Sequence, residues 1–206
     1  MRTRSIVTLA ITLLANAAPA AATTITFSNL LTSSAFTTYT ESGFTVSPIS
    51  GSWESNVDFG NPAPFIWFTR EADDPEISAT IAITSGGAPF VFASADLYSS
   101  ITTIPFVFTG YLNLNPVFTE TGTVPNTFGN FETVHEPSAQ IIDTLLITLS
   151  NPATPCCPNP VGLDNIVVST DLQPVPEPAT LLLFSSGFAL ARARWCRKRR
   201  HDESAP

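Results

Sequence analysis

Between residues 77 and 84 apolar and small polar side chains alternate: Ile77, Ala79, Ile81 and Ile83 against Ser78, Thr80, Ala82 and Thr84. A period of two belongs to a strand, because successive side chains leave a pleated backbone on opposite faces. The same spacing recurs at Phe90 and Phe92 and at Phe106 and Phe108. One face is then packed and the other wet, as antiparallel sheets in a sandwich require. Thr, Ser, Val, Ile and Phe dominate the middle of the chain, and Pro and Gly interrupt it at short intervals. No stretch there has the recurrence of an amphipathic helix. Strands are expected at 24–27, 44–48, 65–69, 77–84, 89–94, 105–112, 117–121, 141–149 and 162–169. The fold expected is all-β, a two-layer antiparallel sandwich. Burying the eight or so side chains just named contributes roughly 1.5 to 3 kcal/mol each, enough to give one domain a core.

The two ends differ from this middle. Arg2 and Arg4 precede an apolar run, 6–15, and then the small residues Ala18, Pro19 and Ala20. The run is about half the ~20 residues of a spanning helix, and with its basic flank it reads as a secretory signal helix, cleaved after Ala20 or Ala22. At the other end, a stretch from Ala179 to Ala191 carries no charge and is followed by Arg192, Arg194, Arg197, Lys198, Arg199 and Arg200. By the positive-inside rule that cluster stays in the cytoplasm as a membrane stop. A helix of this length, at ~1.5 Å per residue, covers about two thirds of a ~30 Å hydrocarbon layer. Such a hydrophobic helix suits a temporary anchor. The chain therefore divides into a signal peptide, 1–22, an ectodomain, 23–172, and a tail, 173–206.

Charge narrows the partners. Eight of the nine basic residues lie in the two ends, leaving Arg70 against fourteen acidic residues in the middle. Nucleic acid is excluded, because phosphate binding needs clustered Lys and Arg. An acidic body suits solubility outside the cell or divalent cations as neighbours.

Pro176, Glu177 and Pro178, then the apolar helix, then the basic end, occur in an order that resembles the PEP-CTERM sorting domain. Prolines at 174, 176 and 178 hold the backbone extended, the form a protease cleft accepts. The resemblance implies that an exosortase, a membrane-embedded cysteine protease, recognises Pro176, Glu177 and Pro178. It also implies transient anchoring in the inner membrane, removal of the tail, and transfer to the cell surface or release. The six residues after Arg200 make a longer, partly acidic end than the pattern requires.

The body resembles the jelly-roll carbohydrate-binding modules that accompany such tails. The matching stretches are Tyr39-Thr40-Glu41-Ser42-Gly43-Phe44-Thr45-Val46, Val107-Phe108-Thr109-Gly110-Tyr111 and Gly162-Leu163-Asp164-Asn165-Ile166-Val167-Val168. That resemblance implies extracellular polysaccharide as a partner and a structural calcium, with Asn29 and Asp164 as two of its ligands. Asn29 stands in a segment, Thr26-Phe27-Ser28-Asn29-Leu30, where the relatives commonly carry acidic residues after the first strand. The alternative for Asp164 is a turn cap.

Tyr39 and Trp53 are the candidates for stacking on sugar rings, with Trp67, Tyr98 and Tyr111 as further aromatics. Cys156 and Cys157 are adjacent in an exported chain and read as a disulfide, a mixed pairing or a thiol pair. Glu71, Asp73, Asp74 and Glu76 read as a solvated face rather than a two-carboxylate hydrolase site, and His135 as a loop residue. No sequence signature of catalysis is present. The expectation is an exported, non-enzymatic surface or matrix protein; the alternatives are a carbohydrate-binding module and a secreted glycoside hydrolase.

Overall fold

A computed structural model of the chain describes residues 22–70, 77–151 and 159–170. Among them the secondary structure is entirely β: β1 (Thr23–Ile25), β2 (Ser34–Ala35), β3 (Tyr39–Glu41), β4 (Phe44–Ser50), β5 (Glu54–Asn56), β6 (Phe65–Arg70), β7 (Ser78–Thr84), β8 (Phe90–Ser99), β9 (Ile104–Leu112), β10 (Asn115–Val124), β11 (Phe131–His135), β12 (Ile141–Ile142), β13 (Thr144–Ser150) and β14 (Asn159–Ser169). The signal helix, the hydrophobic tail helix, the sorting residues 176–178, the basic cluster at 192–200, Cys156 and Cys157, and the acidic segment 71–76 lie outside the described residues.

Two sheets form the sandwich. The first runs β11-β8-β14-β6-β5-β2, with β1 also on β14 and β12 also on β8; the second runs β10-β9-β13-β7-β4-β3. Every pairing is antiparallel. Two-residue hairpins set two of the registers. Ser42 and Gly43 (φ 52° and 86°) turn β3 into β4, and Asn113 and Leu114 (φ 51° and 65°) turn β9 into β10. Two successive positive φ values match the twist of the flanking strands.

The alternating residues meet between the sheets. Ala79, Ile81 and Ile83 of β7 and Leu145, Ile147 and Leu149 of β13 face Phe90, Phe92, Ile66, Phe68, Val161 and Leu163 of the first sheet, all buried. Phe92 meets Phe108 edge to face at 5.3 Å, and Phe44 meets Phe90 likewise at 5.3 Å. The outer face of the second sheet carries rows such as Thr121, Val107, Thr148, Thr80 and Ser50, with no charge among them. In that row the Thr80 and Thr148 hydroxyls lie 2.8 Å apart.

The expected strands exist, with two differences. The stretch 141–149 is two strands: Ile141–Ile142 pairs with β8 in the first sheet, and Thr144–Ser150 enters the second. Asp143, between them, donates its N–H to Tyr111 O at 2.8 Å, so the chain changes sheet there. Four short strands that a hydrophobic pattern does not announce are added: β2, β3 and β11 at sheet edges and β5 between β6 and β2. Two buried amides, Asn151 and Asn159, bond to each other. Asn151 Nδ2 donates to Asn159 O at 3.0 Å, and Asn159 Nδ2 donates to Asn151 Oδ1 at 3.1 Å and Thr102 Oγ1 at 2.7 Å.

Candidate binding face

The outward side of the first sheet departs from the rule that a wetted face is polar. On β6, Ile66 and Phe68 enter the core, so Phe65 and Trp67 point outward. Cross-strand register then aligns Phe131 of β11, Tyr98 of β8, Gly162 of β14, Trp67 of β6 and Glu54 of β5 in one row. Directly opposed residues in an antiparallel sheet share a face. A row of rings therefore crosses the sheet, with its gap at Gly162.

Phe65 fills that gap. A Cβ on Gly162 would stand 2.6 Å from the Phe65 ring, so glycine is what allows the ring to lie across β14. Phe65 contacts Tyr98 at 5.1 Å, Phe131 at 5.4 Å and Phe59 at 5.6 Å between ring centroids. Phe59 comes from the 57–64 loop, which folds back over the sheet. Asn56 Oδ1 starts that loop by accepting from the N–H groups of Asp58 (2.7 Å) and Phe59 (3.1 Å). Gly60, at φ 94°, holds the backbone where a Cβ would strike Phe65 at 2.5 Å. The result is a second, smaller aromatic cluster outside the main core, with Phe65 fully buried and Phe59 39% exposed.

Phe128 extends the exposed edge. The 125–130 loop is tied to the end of β8 through Thr127 Oγ1, which accepts from Ser99 N and donates to Ser99 O, both at 2.9 Å. Asn126 Oδ1 accepts from Phe128 N at 2.8 Å, and Asn126 Nδ2 donates to Ile101 O at 2.7 Å. At the tip Phe128 has φ 53° and is 82% exposed. A bulky residue held left-handed while its ring is given to water gains nothing from packing to offset the strain.

Beside the rings lies a row of polar groups: Thr133 of β11, Asp96 of β8 and Asp164 of β14. Thr133 Oγ1 and Asn165 Nδ2 donate to the two Asp96 oxygens at 2.6 and 2.9 Å. Asp164 is only 1% exposed, and its Oδ1 has no hydrogen-bond partner. Burial first, with the charges of Asp96 and Glu41 adding to it, pushes its pKa up to about 8, against the favourable N–H of Asn165. At neutral pH it is a carboxylic acid. The sheet is irregular here: Asn165 has φ 45°, and the β8–β14 register shifts between Asp164 and Val167.

These residues test the calcium expectation. Asn29 is exposed, and its backbone N–H donates to Tyr39 Oη at 3.4 Å. Glu41 already accepts from Thr26 N, Phe27 N, Thr26 Oγ1 and Tyr39 Oη. Among the described residues no three His, Cys, Asp or Glu side chains are grouped to hold a metal ion. Calcium takes six to eight oxygens; of its two expected ligands, Asp164 keeps an oxygen without a hydrogen-bond partner and Asn29 is exposed.

The stacking candidates named from sequence are corrected in part. Trp53 is 2% exposed, lies 5.6 Å from Phe68 and donates Nε1 to Ser50 O at 3.1 Å; Tyr39 is 9% exposed, lies 5.3 Å from Phe27 and donates Oη to Glu41 Oε2 at 3.2 Å. Both rings sit in the main core, where a sugar cannot reach a face. Trp67 and Tyr98 do join the outer row, Tyr111 stands on the second sheet, and His135 ends β11. Phe59, Phe128 and Phe131 were missed. The one signal available was an aromatic beside Gly or Asn in a turn: Phe59-Gly60 and Thr127-Phe128-Gly129.

Solved structures resemble the described sandwich at low identity. A family 29 carbohydrate-binding module from Piromyces equi is 12% identical, with 74% of this chain and 92% of that chain covered and a TM-score of 0.42. An exo-β-agarase is 12% identical over 74% of this chain and 25% of that one, with a TM-score of 0.43. The enzymatically active domain of a tailspike protein from bacteriophage CBA120 is 18% identical over 62% and 19%, with a TM-score of 0.33. No curated protein matches the chain. Residues 174–200 match the family described as the PEP-CTERM protein-sorting motif, and the chain carries that motif.

Proposed function

We propose that the chain is an exported, non-catalytic surface protein whose tail is removed at the Pro176-Glu177-Pro178 signature. The observation that carries this reading is the sorting motif over 174–200, set at the opposite end of the chain from an Arg-flanked apolar leader. An exosortase-type protease is the processing partner, with the apolar helix held in the inner membrane and Arg192 to Arg200 on the cytoplasmic side until cleavage. Intact-mass spectrometry of the product recovered outside its host cell tests it. A mass lacking both the leader and the basic end is expected. A surface product that retains the arginines refutes it.

Phe128 favours a finer reading, in which the displayed domain holds neutral extracellular polysaccharide on the outward face of the first sheet. Flat apolar rings stack on the C–H faces of sugars, and carboxyl and hydroxyl groups beside them receive sugar hydroxyls. Phe59, Trp67, Phe128 and Phe131 supply the rings, and Asp96 and Thr133 the polar edge. Glycan-array binding by the isolated ectodomain that falls at least about tenfold in Phe128→Ala supports it. Unchanged binding in that variant, or none by the parent, removes it.

A further inference from the structure

The long edge of the second sheet holds a different site. β10 pairs with β9 along its length and has no strand on its other side among the described residues. A ten-residue edge presents a row of free N–H and C=O groups, a template for another extended chain. Beside it lies a cleft of about 480 Å³ lined by Phe118, Glu120, Glu136, Pro137 and Ser138, together with Thr119 and Thr121. Thr119 and Thr121 stand on the outward face; Phe118 packs against the core, and Glu120 shares its side of the strand.

The two carboxyls in the cleft are not equivalent. Glu136 is buried and accepts from Ser138 N and Ala139 N at 2.9 Å each, and from Ser138 Oγ. Three donors hold it in place. Glu120 Oε2 is shut off from solvent and has no hydrogen-bond partner. Burial, then the charge on Glu136, raises the Glu120 pKa. Among the described residues Arg70 is the one lysine or arginine, and it belongs to β6 of the other sheet. No lysine or arginine is among the described residues that line the cleft, and a side chain on a strand added to β10 opposite Glu120 would enter it.

We propose that β10 is a docking edge for an extended, basic segment of a partner protein, which adds as an antiparallel strand and places one Arg or Lys side chain between Glu120 and Glu136. Main-chain bonds to the edge give affinity, and the cleft gives selectivity. Of the inward neighbours of the basic residue, two positions away on either side, one meets Phe118 and the other faces Gly122, and both are apolar. The outward residues continue the threonine rows. This site uses different residues from the aromatic face and does not depend on polysaccharide binding.

The probe is the heptapeptide Thr-Val-Thr-Arg-Thr-Val-Thr, titrated into the isotope-labelled ectodomain and followed by backbone amide shifts. Shifts confined to β10 and to 136–138 are expected, with affinity at least about tenfold weaker when norleucine replaces the arginine or when the protein carries Glu120→Gln. A second arm leaves the protein unaltered. Methylating the peptide's amides along one edge removes its donors but keeps its charge, and abolishes binding if a strand is added. Equal affinity of the norleucine peptide, equal affinity of arginine amide alone, shifts located elsewhere, or no shift at millimolar peptide would each overturn the proposal.

Discussion

The two solvent-facing sides of the sandwich are built from opposite materials. The second sheet turns mostly threonine, serine and aliphatic side chains outward, with Tyr111 among them, and hydroxyl pairs such as Thr80 and Thr148 meet across strands. The first sheet turns rings outward, lays a loop across them and buries an acid with one oxygen left without a hydrogen-bond partner. Solubility and strand propensity explain the first arrangement completely. They explain little of the other, where a fully buried Phe65, a left-handed exposed Phe128 and a neutral Asp164 all run against those preferences. Strain and orphaned acids also occur on the second sheet, at Leu114 (φ 65°, 92% exposed) and Glu120, so it is the outward row of rings that sets the first sheet apart.

That contrast can be broken most sharply at Asp164. Its folded pKa of about 8 lies above the ordinary 3.8, so the folded state holds the proton more tightly. The resulting stability is complete below about pH 4 and is lost as the pH rises through about 8, a difference on the order of 5 kcal/mol from this group. Urea unfolding at several pH values should show this slope in the parent and a much flatter one in Asp164→Asn. Equal slopes would mean that the buried acid is stabilised by something other than its proton.

Phe65→Ala comes next, at about 3 to 5 kcal/mol, the range of a core phenylalanine although the residue sits on an outward face. A loss below about 1 kcal/mol in thermal or chemical unfolding would show that the loop and its rings are loosely held. Phe128→Ala should leave stability within about 1 kcal/mol, since its ring packs on little, while weakening glycan retention. Thr148→Ala on the second sheet should change stability by about 0.5 kcal/mol or less and leave glycan retention as it was. If it weakened retention as much as Phe128→Ala, the two faces would not differ in role. The smallest effect belongs to chelation: a melting curve in EGTA should superimpose on the untreated one, and a drop would reinstate a divalent ion at Asp164.

Much of the scaffold could be read from periodicity. Ala79, Ile81 and Ile83 lie in the core as their alternation requires, and so do Phe90, Phe92, Phe106 and Phe108. Ile77, placed with them, stands just outside β7 and is 48% exposed, because the strand starts one residue later. The binding face was harder to see. Trp53 and Trp67 look alike in a sequence, but one lies in the main core and the other on the outward row. Which way each points depends on strand register, and register is settled by pairing partners distant in sequence. Parity also changes within strands. In β14 the core residues are Val161 and Leu163 before the irregularity, and Ile166 and Val168 after it. An alternation rule applied across that point assigns half the strand to the wrong side.

β14 closes the ectodomain in sequence yet stands inside the first sheet, bonded to β8 on one flank and to β6 and β1 on the other. The sheet cannot be completed until this last strand is in place, since three earlier strands wait for the same partner. Pairings this remote in sequence form slowly. The strand that is made last is therefore the one on which the closing of the whole sheet waits.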